Sequence, residues 1–126
     1  MPSNDERPPV WVGHVLLPTA KRDIPATRDF LARLGMRPIA AGDDFAVLEL
    51  RGGTHVLLLP SAEPPAESAP FDLMVEDLAA THDRLAALGL APSAIAPGRI
   101  HDSFTVRAPS GHAITFNSSH VSDRPV

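Results

Sequence analysis

The stretch ATRDFLARLGMRP, residues 26–38, occurs a second time as ATHDRLAALGLAP, residues 80–92. The two copies lie 54 residues apart and share eight identities in thirteen aligned positions, among them a glycine followed three residues later by a proline. Apolar residues recur at helical spacing in both copies, and each apolar pattern stops at the glycine, which is typical of a helix C-terminus. The repeat indicates that the chain contains two copies of one supersecondary unit.

Short apolar runs on either side of each predicted helix are typical of strands. VWVGHVLL precedes the first helix, and MRPIAA, FAVLEL and THVLLLP follow it with glycine-containing turns between them. FDLMV precedes the second helix, and three strand candidates follow it, at residues 93–96, 103–107 and 112–117. Both halves therefore have the order βαβββ. We predict an α+β fold in which two tandem βαβββ modules form a curved mixed sheet around a cup-shaped cavity.

The boundaries of the two modules follow from composition. Residues 1–9 are charged and proline-rich without apolar periodicity, and we predict a flexible tail there. The breaker-rich segment 61–69 predicts a linker between a first module at residues 10–60 and a second at residues 70–118. Residues 119–126 form a polar tail, and the whole chain is expected to make one structural domain.

The composition excludes several classes of protein. The chain has 126 residues, a net charge of −4 and no cysteine, which rules out a disulfide scaffold, a thiolate zinc site and a cysteine nucleophile. Its bases are scattered singly, so nucleic acid is not expected as a partner, and its apolar runs are too short for a membrane span. We expect a cytoplasmic protein. Ten of the eleven bases are arginine, which is typical of a GC-rich bacterial genome.

Four segments of the chain resemble the vicinal oxygen chelate superfamily, which contains glyoxalase I, extradiol dioxygenases, and fosfomycin- and bleomycin-resistance proteins. They are VGHVLL, DFLARLGM, FDLMVEDL and the hairpin FTVRAPSGHAITF, and together they extend over nearly the whole folded part of the sequence. The resemblance implies the tandem fold, a ligand in the cup, and a homodimer in which the site is commonly completed across the subunit interface.

In metal-using members of that family, ligands come from the first and last strands of each module. His14 matches the first ligand position, whereas the other three positions fall on Leu57, Pro70 and Thr115. Leucine and proline side chains cannot bind a divalent cation, and a neutral threonine hydroxyl is a poor substitute for a carboxylate. We therefore expect the family's metal site to be lost and favour no cofactor, while a divalent metal on other ligands stays open.

Strand alternation places further side chains on the same face as His14, provided that His14 points into the cup. His55 is in phase with Leu57, and Asp72 is in phase with Pro70. His14, His55 and Asp72 would supply ligand types that suit iron, zinc or nickel, which is the alternative metal site. The full set of candidate ligand-binding residues is His14, His55, Leu57, Asp72, Met74, Ser103, Thr105, Arg107, Thr115 and Asn117, with Leu16 as a further apolar wall.

The remaining polar residues have less specific interpretations. His101 and Asp102 are expected in a loop at the lip of the cup, and Trp11 in a packing or dimer contact. The histidines at 82, 112 and 120 are expected to be solvated or exposed, as are the helix charges Arg28, Arg33 and Arg84.

Three functional hypotheses remain open. The first is a small-molecule binding protein with a degenerate metal site, similar to the bleomycin-resistance members. The second is a metal-dependent lyase, isomerase or dioxygenase that uses His14 with non-standard partner ligands. The third is a metal-free enzyme in which His14 or His55 acts as the general base. Against all three stands the possibility that His14 is only a buried strand histidine.

Overall fold

The computed structural model describes residues 4–126, which contain two helices and two sheets. The first module contains β1 His14–Thr19, α1 Ile24–Leu34, β2 Arg37–Ala41, β3 Ala46–Glu49 and β4 His55–Pro60. The second module contains β5 Ser68–Val75, α2 Leu78–Ala87, β6 Ser103–Arg107 and β7 Ala113–Ser118. Single 3₁₀ turns at Lys21–Asp23 and Arg51–Gly53 precede α1 and β4.

The second sheet repeats the strand arrangement of the first with one strand fewer. The first sheet has the order β1-β4-β3-β2, with β1 parallel to β4 and the other pairs antiparallel. The second has the order β5-β7-β6, with β5 parallel to β7 and β6 antiparallel to it. β1 and β5 lie beside each other at the junction of the two sheets. The predicted α+β fold of two tandem modules is thereby confirmed.

The strand predicted at residues 93–96 is reduced to a single bridge between Ala96 and Ser103, which corrects that part of the prediction. Ser93 donates its backbone N–H to the Thr105 carbonyl at 2.9 Å, and its side-chain oxygen accepts the N–H of Thr105 at 2.9 Å. A hydroxyl thus replaces a backbone carbonyl in the ladder. Pro92 has no N–H to donate, and Ala91 adopts a positive φ of 52°, so regular pairing cannot extend toward α2.

The first strand starts later than its apolar run suggests. Val10, Trp11 and Val12 precede β1 and are exposed. The partner strand β4 begins only at His55, so residues before Gly13 have no strand to pair with. Of the predicted flexible tail, residues 1–3 lie outside the described residues, and residues 4–9 form neither helix nor strand.

Both helices end as the repeated glycines predict. Gly35 and Gly89 have φ values of 122° and 78°, a region in which a side chain other than glycine is strained. The N–H of Gly35 bonds to Ala32, and that of Gly89 bonds to Ala86, which closes the last turn of each helix.

The helices pack on one face of the sheets and form a single core with them. The fully buried residues include Leu17, Leu31, Val56, Leu85 and Ile114, which come from both modules. The opposite face of each sheet carries no helix. We call these surfaces the open face of the first sheet and the open face of the second sheet.

Two arginines join the C-terminal ends of the helices. Arg84 of α2 donates to the carbonyls of Arg33 and Leu34 at 3.0 and 2.9 Å, and Arg33 donates to the carbonyl of Leu88 at 2.6 Å. The last carbonyls of a helix have no partner within it, so these bonds satisfy groups that would otherwise depend on water. Arg33 and Arg84 are exposed, as expected, but each also bonds to the end of the other helix, which the sequence did not indicate.

Within residues 4–126, neither helix has the length or the apolar character that crossing a membrane requires.

Candidate functional site

The open face of the first sheet brings His14 and His55 together. They are direct partners in the parallel register of β1 and β4, and Leu16 and Leu57 form the next pair on the same face. The two imidazole rings are stacked, with their centroids 6.2 Å apart and an angle of 24° between the ring planes. His14 is exposed and His55 is half-buried, so His14 is not a buried strand histidine.

Glu49 fixes His55 from the neighbouring strand. The two residues are paired across β3 and β4, and His55 Nε2 lies 2.9 Å from Glu49 Oε2. Arg37 on β2 faces the other side of Glu49 and donates from Nε to Oε1 at 3.0 Å. Its Nη2 also bonds to Oε1. Four side chains on four adjacent strands thus form one continuous polar row of Arg37, Glu49, His55 and His14.

The electrostatics of this row centre on Glu49. The hydrogen bond from Arg37 is the largest cause that lowers the pKa of the Glu49 carboxyl, and the hydrogen bond from His55 is the next. The carboxylate is therefore ionised, and its charge is offset by the guanidinium of Arg37. Sequence reasoning missed Glu49. It lies in phase with Val47 and opposite His55 across the short connection between β3 and β4, and pairing these two strands in the sequence would have indicated it.

The candidates of the second module lie on the open face of the second sheet. The register pairs are Asp72 with Thr115, Met74 with Asn117, Ser103 with Asn117 and Thr105 with Thr115, while Arg107 is paired with Ala113. The alternation used in the sequence therefore places them together. Their binding role stays a prediction.

These residues differ in accessibility. Asp72, Met74, Thr105 and Arg107 are exposed, whereas Asn117 is buried. Arg107 donates to the Gly111 carbonyl at 2.7 Å, so its guanidinium is partly committed to the turn before β7. The most accessible groups of the second sheet are thus a carboxylate, a thioether and a hydroxyl.

The metal positions of the family do not fit a metal ion in this chain. Leu57 and Pro70 offer no side-chain donor, and Thr115 offers only a hydroxyl. Across residues 4–126, no three His, Cys, Asp or Glu side chains are grouped so that they could hold a metal ion. The alternative set of His14, His55 and Asp72 is therefore not assembled as a metal site among these residues.

Two cavities lie away from the histidine pair. One of about 490 Å³ is formed by the N-terminal segment around Trp11 and the turn at Arg51. The other, of about 480 Å³, lies between the end of α1 and the ends of β5 and β7, and its walls include Met36 and Leu73. Neither is lined by His14 or His55. The open faces themselves are surfaces that a single chain leaves uncovered.

His82 and His112 are less exposed than the sequence suggests, whereas His120 is exposed as expected. His112 is only 2% exposed, its Nδ1 lies 2.7 Å from the Ser110 hydroxyl oxygen, and burial lowers its pKa. His82 is half-buried, lies edge-on to Phe104, and bonds through Nε2 to the carbonyl of Ser93 at 3.0 Å. The expectation that both are solvent-facing is wrong. Of the predicted lip residues, Asp102 is exposed and His101 is half-buried.

Comparisons with known proteins agree with this fold. Residues 11–116 match the family model of the Glyoxalase/Bleomycin resistance protein/Dioxygenase superfamily. No curated protein sequence matches the chain.

Three solved structures illustrate the similarity in fold. Lactoylglutathione lyase from Agrobacterium tumefaciens has a TM-score of 0.75 at 15% identity, with 94% of this chain and 100% of that chain covered. The bleomycin-binding protein from Streptomyces verticillus, complexed with copper(II)-bleomycin, has a TM-score of 0.71 at 20% identity, with 90% and 100% covered. An antibiotic binding protein from Streptomyces sp. CB03234 has a TM-score of 0.71 at 19% identity, with 86% and 95% covered.

The match of the family model extends over most of the sequence, from the segment before β1 to β7, and the two modules repeat one strand order. The chain belongs to the Glyoxalase/Bleomycin resistance protein/Dioxygenase superfamily.

Proposed function

We propose that this protein binds a partly apolar small molecule on its open faces, without a metal ion at the family's ligand positions. The observation that carries the proposal is the row of exposed apolar side chains beside the stacked pair of His14 and His55. A surface of this kind, apolar with a few convergent polar groups, is what small-molecule sites present.

The apolar part of the proposed site comes from strand residues that the core does not cover. Leu16 is 51% exposed, Leu59 is 39% exposed and Met74 is 43% exposed. Each Å² of apolar surface removed from water stabilises a complex by roughly 25 cal/mol before the costs of association are subtracted. Covering these side chains therefore supplies a driving force that is independent of the ligand's polar groups.

The polar part comes from the imidazoles. Glu49 accepts a hydrogen bond from His55 Nε2, so the ring of His55 is held in one orientation, and the stacked His14 ring lies next to it. Because Arg37 offsets the carboxylate of Glu49, the pair offers hydrogen bonds without a strong net charge. A ligand with oxygen or nitrogen atoms at one end and an apolar body fits this arrangement.

The two antibiotic-binding relatives support a binding role but do not identify the ligand. One binds bleomycin and the other is an antibiotic binding protein, and at about a fifth identity they share only the fold with this chain. Bleomycin is therefore a first probe, and the ligand itself is to be found by screening.

We also propose that the protein is a cytoplasmic homodimer. The open faces are not enclosed within one chain, and Val10, Trp11 and Val12 expose a continuous apolar segment next to β1. Unpaired strand edges are usually covered or joined, and the edges of both small sheets offer places to do so. A second copy would convert the open faces into a cup.

A second candidate function is favoured by one specific contact. When Glu49 accepts the Nε2 proton of His55, the other ring nitrogen is left as a proton acceptor, which is the arrangement of an oriented general base. A metal-free enzyme that abstracts a proton through His55 would use the same surface. It differs from simple binding in that a bound compound would be converted.

A paired-variant binding experiment tests the proposal. Bleomycin and a panel of amphipathic compounds are titrated into the metal-stripped protein, and heat of binding is recorded. Leu16→Asp is expected to abolish binding because it places a charge within the apolar row. Ile100→Asp is the matched control, since Ile100 is 77% exposed and lies outside the strands. Equal loss of binding in both variants, or binding that persists in Leu16→Asp, would overturn the proposal.

Whether a bound compound is chemically converted distinguishes the metal-free enzyme from the small-molecule binding protein. Mixtures are analysed by mass spectrometry after incubation with the wild type and with His55→Gln. A product formed only by the wild type would establish the enzyme, and unchanged compound in both would leave binding alone.

A further inference from the structure

Three soft or borderline donors form a chain of contacts at one end of the open face of the second sheet, with His120 between Met74 and His101. Met74 comes from β5, His101 precedes β6, and His120 follows β7. His120 Nδ1 lies 2.8 Å from Met74 Sδ. The rings of His101 and His120 are perpendicular, with their centroids 4.6 Å apart.

Hydrogen bonds hold one of the imidazoles in place. His101 Nδ1 donates to the Ser118 carbonyl at 2.6 Å, which leaves Nε2 as the nitrogen with a free lone pair. Metal-binding histidines commonly donate their other ring N–H to a carbonyl in this way, because the bond sets both tautomer and orientation. The backbone N–H of Ser118 bonds to the Asp102 carbonyl at 2.9 Å, so the segment before β6 is tied to the end of β7.

The chemistry of the three donors selects the metal. A thioether is a weak hydrogen-bond acceptor, so the close approach of His120 to Met74 is a modest stabilising contact on its own. The same sulfur is a soft ligand that suits Cu(I), and imidazole is a good copper ligand. Hard cations such as Mg²⁺ and Ca²⁺ prefer oxygen donors, which this cluster does not contain.

We infer that Met74, His101 and His120 form a Cu(I)-binding site. The cluster is distinct from the family's metal positions, which fall on His14, Leu57, Pro70 and Thr115, and from the stacked histidine pair. Met74 and His120 are both exposed, so an ion can enter from solvent. The inference does not depend on the proposed small-molecule function.

The test uses the full-length protein and Cu(I) alone. Cu(I) is kept reduced with ascorbate under anaerobic conditions and is titrated in competition with the chromogenic chelator bicinchoninate. We expect one equivalent to be retained by the wild type. Met74→Leu removes the sulfur while keeping the size of the side chain, and His120→Asn removes an imidazole. Each is expected to weaken Cu(I) binding at least about tenfold.

Two matched variants serve as controls. Met36→Leu makes the same change at the core methionine, which is 5% exposed, and His14→Asn removes an imidazole from the other histidine cluster. Both are expected to keep the wild-type affinity. The inference is overturned if Met74→Leu binds Cu(I) as tightly as the wild type, or if His14→Asn loses the ion.

A second readout does not depend on affinity. In protein labelled with ¹³C at the methionine methyl groups, Cu(I) is expected to shift the Met74 resonance and leave that of Met36 in place. A Met74 resonance that does not move at one equivalent of Cu(I) would contradict the site directly.

Discussion

Glu49 Oε2 lies 2.9 Å from His55 Nε2, across the antiparallel pair of β3 and β4. This contact determines how the first module presents its polar groups, because His55 is stacked on His14 and Glu49 is bound to Arg37. Glu49, which no sequence motif indicated, thus orients His55, which the sequence predicted as a candidate site residue. The role of Glu49 can be tested through the ionisation of its carboxyl group.

Glu49 makes stability depend on pH in the acidic range. Its folded-state pKa is lowered from the ordinary value of 4.5, chiefly by the hydrogen bond from Arg37, so the unfolded chain binds the proton more readily. The stabilisation is therefore present above pH 4.5 and is lost as the pH falls through the lowered pKa. Urea unfolding of the wild type and Glu49→Gln should show a gap in the free energy of unfolding at pH 6 that narrows by pH 3.5. A gap of constant size would show that the carboxylate charge does not matter.

The pKa of His112 is also lowered, but by burial rather than by a hydrogen bond, and its effect on stability falls at a higher pH. Burial lowers its folded-state pKa from the ordinary value of 6.5, so the folded protein keeps it neutral while the unfolded chain protonates it. Stability is expected to decrease as the pH falls below 6.5. The measurement compares urea unfolding at pH 7.5 and pH 5.5 for the wild type and His112→Gln. The variant should lose less stability over this interval, whereas His14→Gln, at an exposed position, should behave as the wild type.

Arg84 is expected to stabilise the contact between the two modules. It donates to two carbonyls at the end of α1 from its place on α2. Hydrogen bonds from charged groups contribute up to about 3 kcal/mol when buried, and for this exposed guanidinium we expect Arg84→Ala to lower the free energy of unfolding by about 1 to 2 kcal/mol. Arg99→Ala, in the exposed loop before β6, is the control and should change stability by less than about 0.5 kcal/mol.

The duplication can be predicted from the sequence because the patterns that indicate it are local. Helix periodicity, a glycine after the last turn and short apolar strands depend on neighbours within a few residues, and Gly35 and Gly89 have the backbone conformation that their position indicates. The strand predicted at residues 93–96 is wrong for a local reason as well, since the Ser93 hydroxyl accepts the N–H of Thr105 in place of a backbone carbonyl and only the bridge between Ala96 and Ser103 remains.

The sequence predicts only part of the candidate site, because the alternation of side chains along a strand identifies the face on which a residue lies but not the residue it contacts. It grouped His14 with His55 and Asp72 with Thr115, and the structure pairs both sets in register. Alternation alone does not indicate that Glu49 reaches His55, because that contact also requires the pairing of β3 with β4. Contacts between residues far apart in the chain, such as that of Met74 with His120, depend on how the segments after the last strands fold back. The burial of His112 likewise depends on packing that its turn sequence does not show.

The proposed dimer is checked by mass in solution. Light scattering after size exclusion should give twice the mass of the chain at micromolar concentration, since the open faces and the apolar segment around Trp11 offer surfaces to cover. Trp11→Asp is expected to shift the protein toward the monomer if that segment lies in the interface. A wild type that elutes with the mass of one chain at every concentration would contradict the dimer.

We propose that a small molecule binds on the open faces of the two sheets, with its polar end at the histidine pair of the first sheet and without a metal ion. The most direct measurement is a map of amide chemical-shift changes in ¹⁵N-labelled, chelator-treated protein on titration with a compound that binds. We predict that the largest shifts fall on His14, Leu16, His55 and Leu57. Shifts confined to the cavity around Trp11 and Arg51, or binding that appears only after a divalent metal is added back, would contradict it.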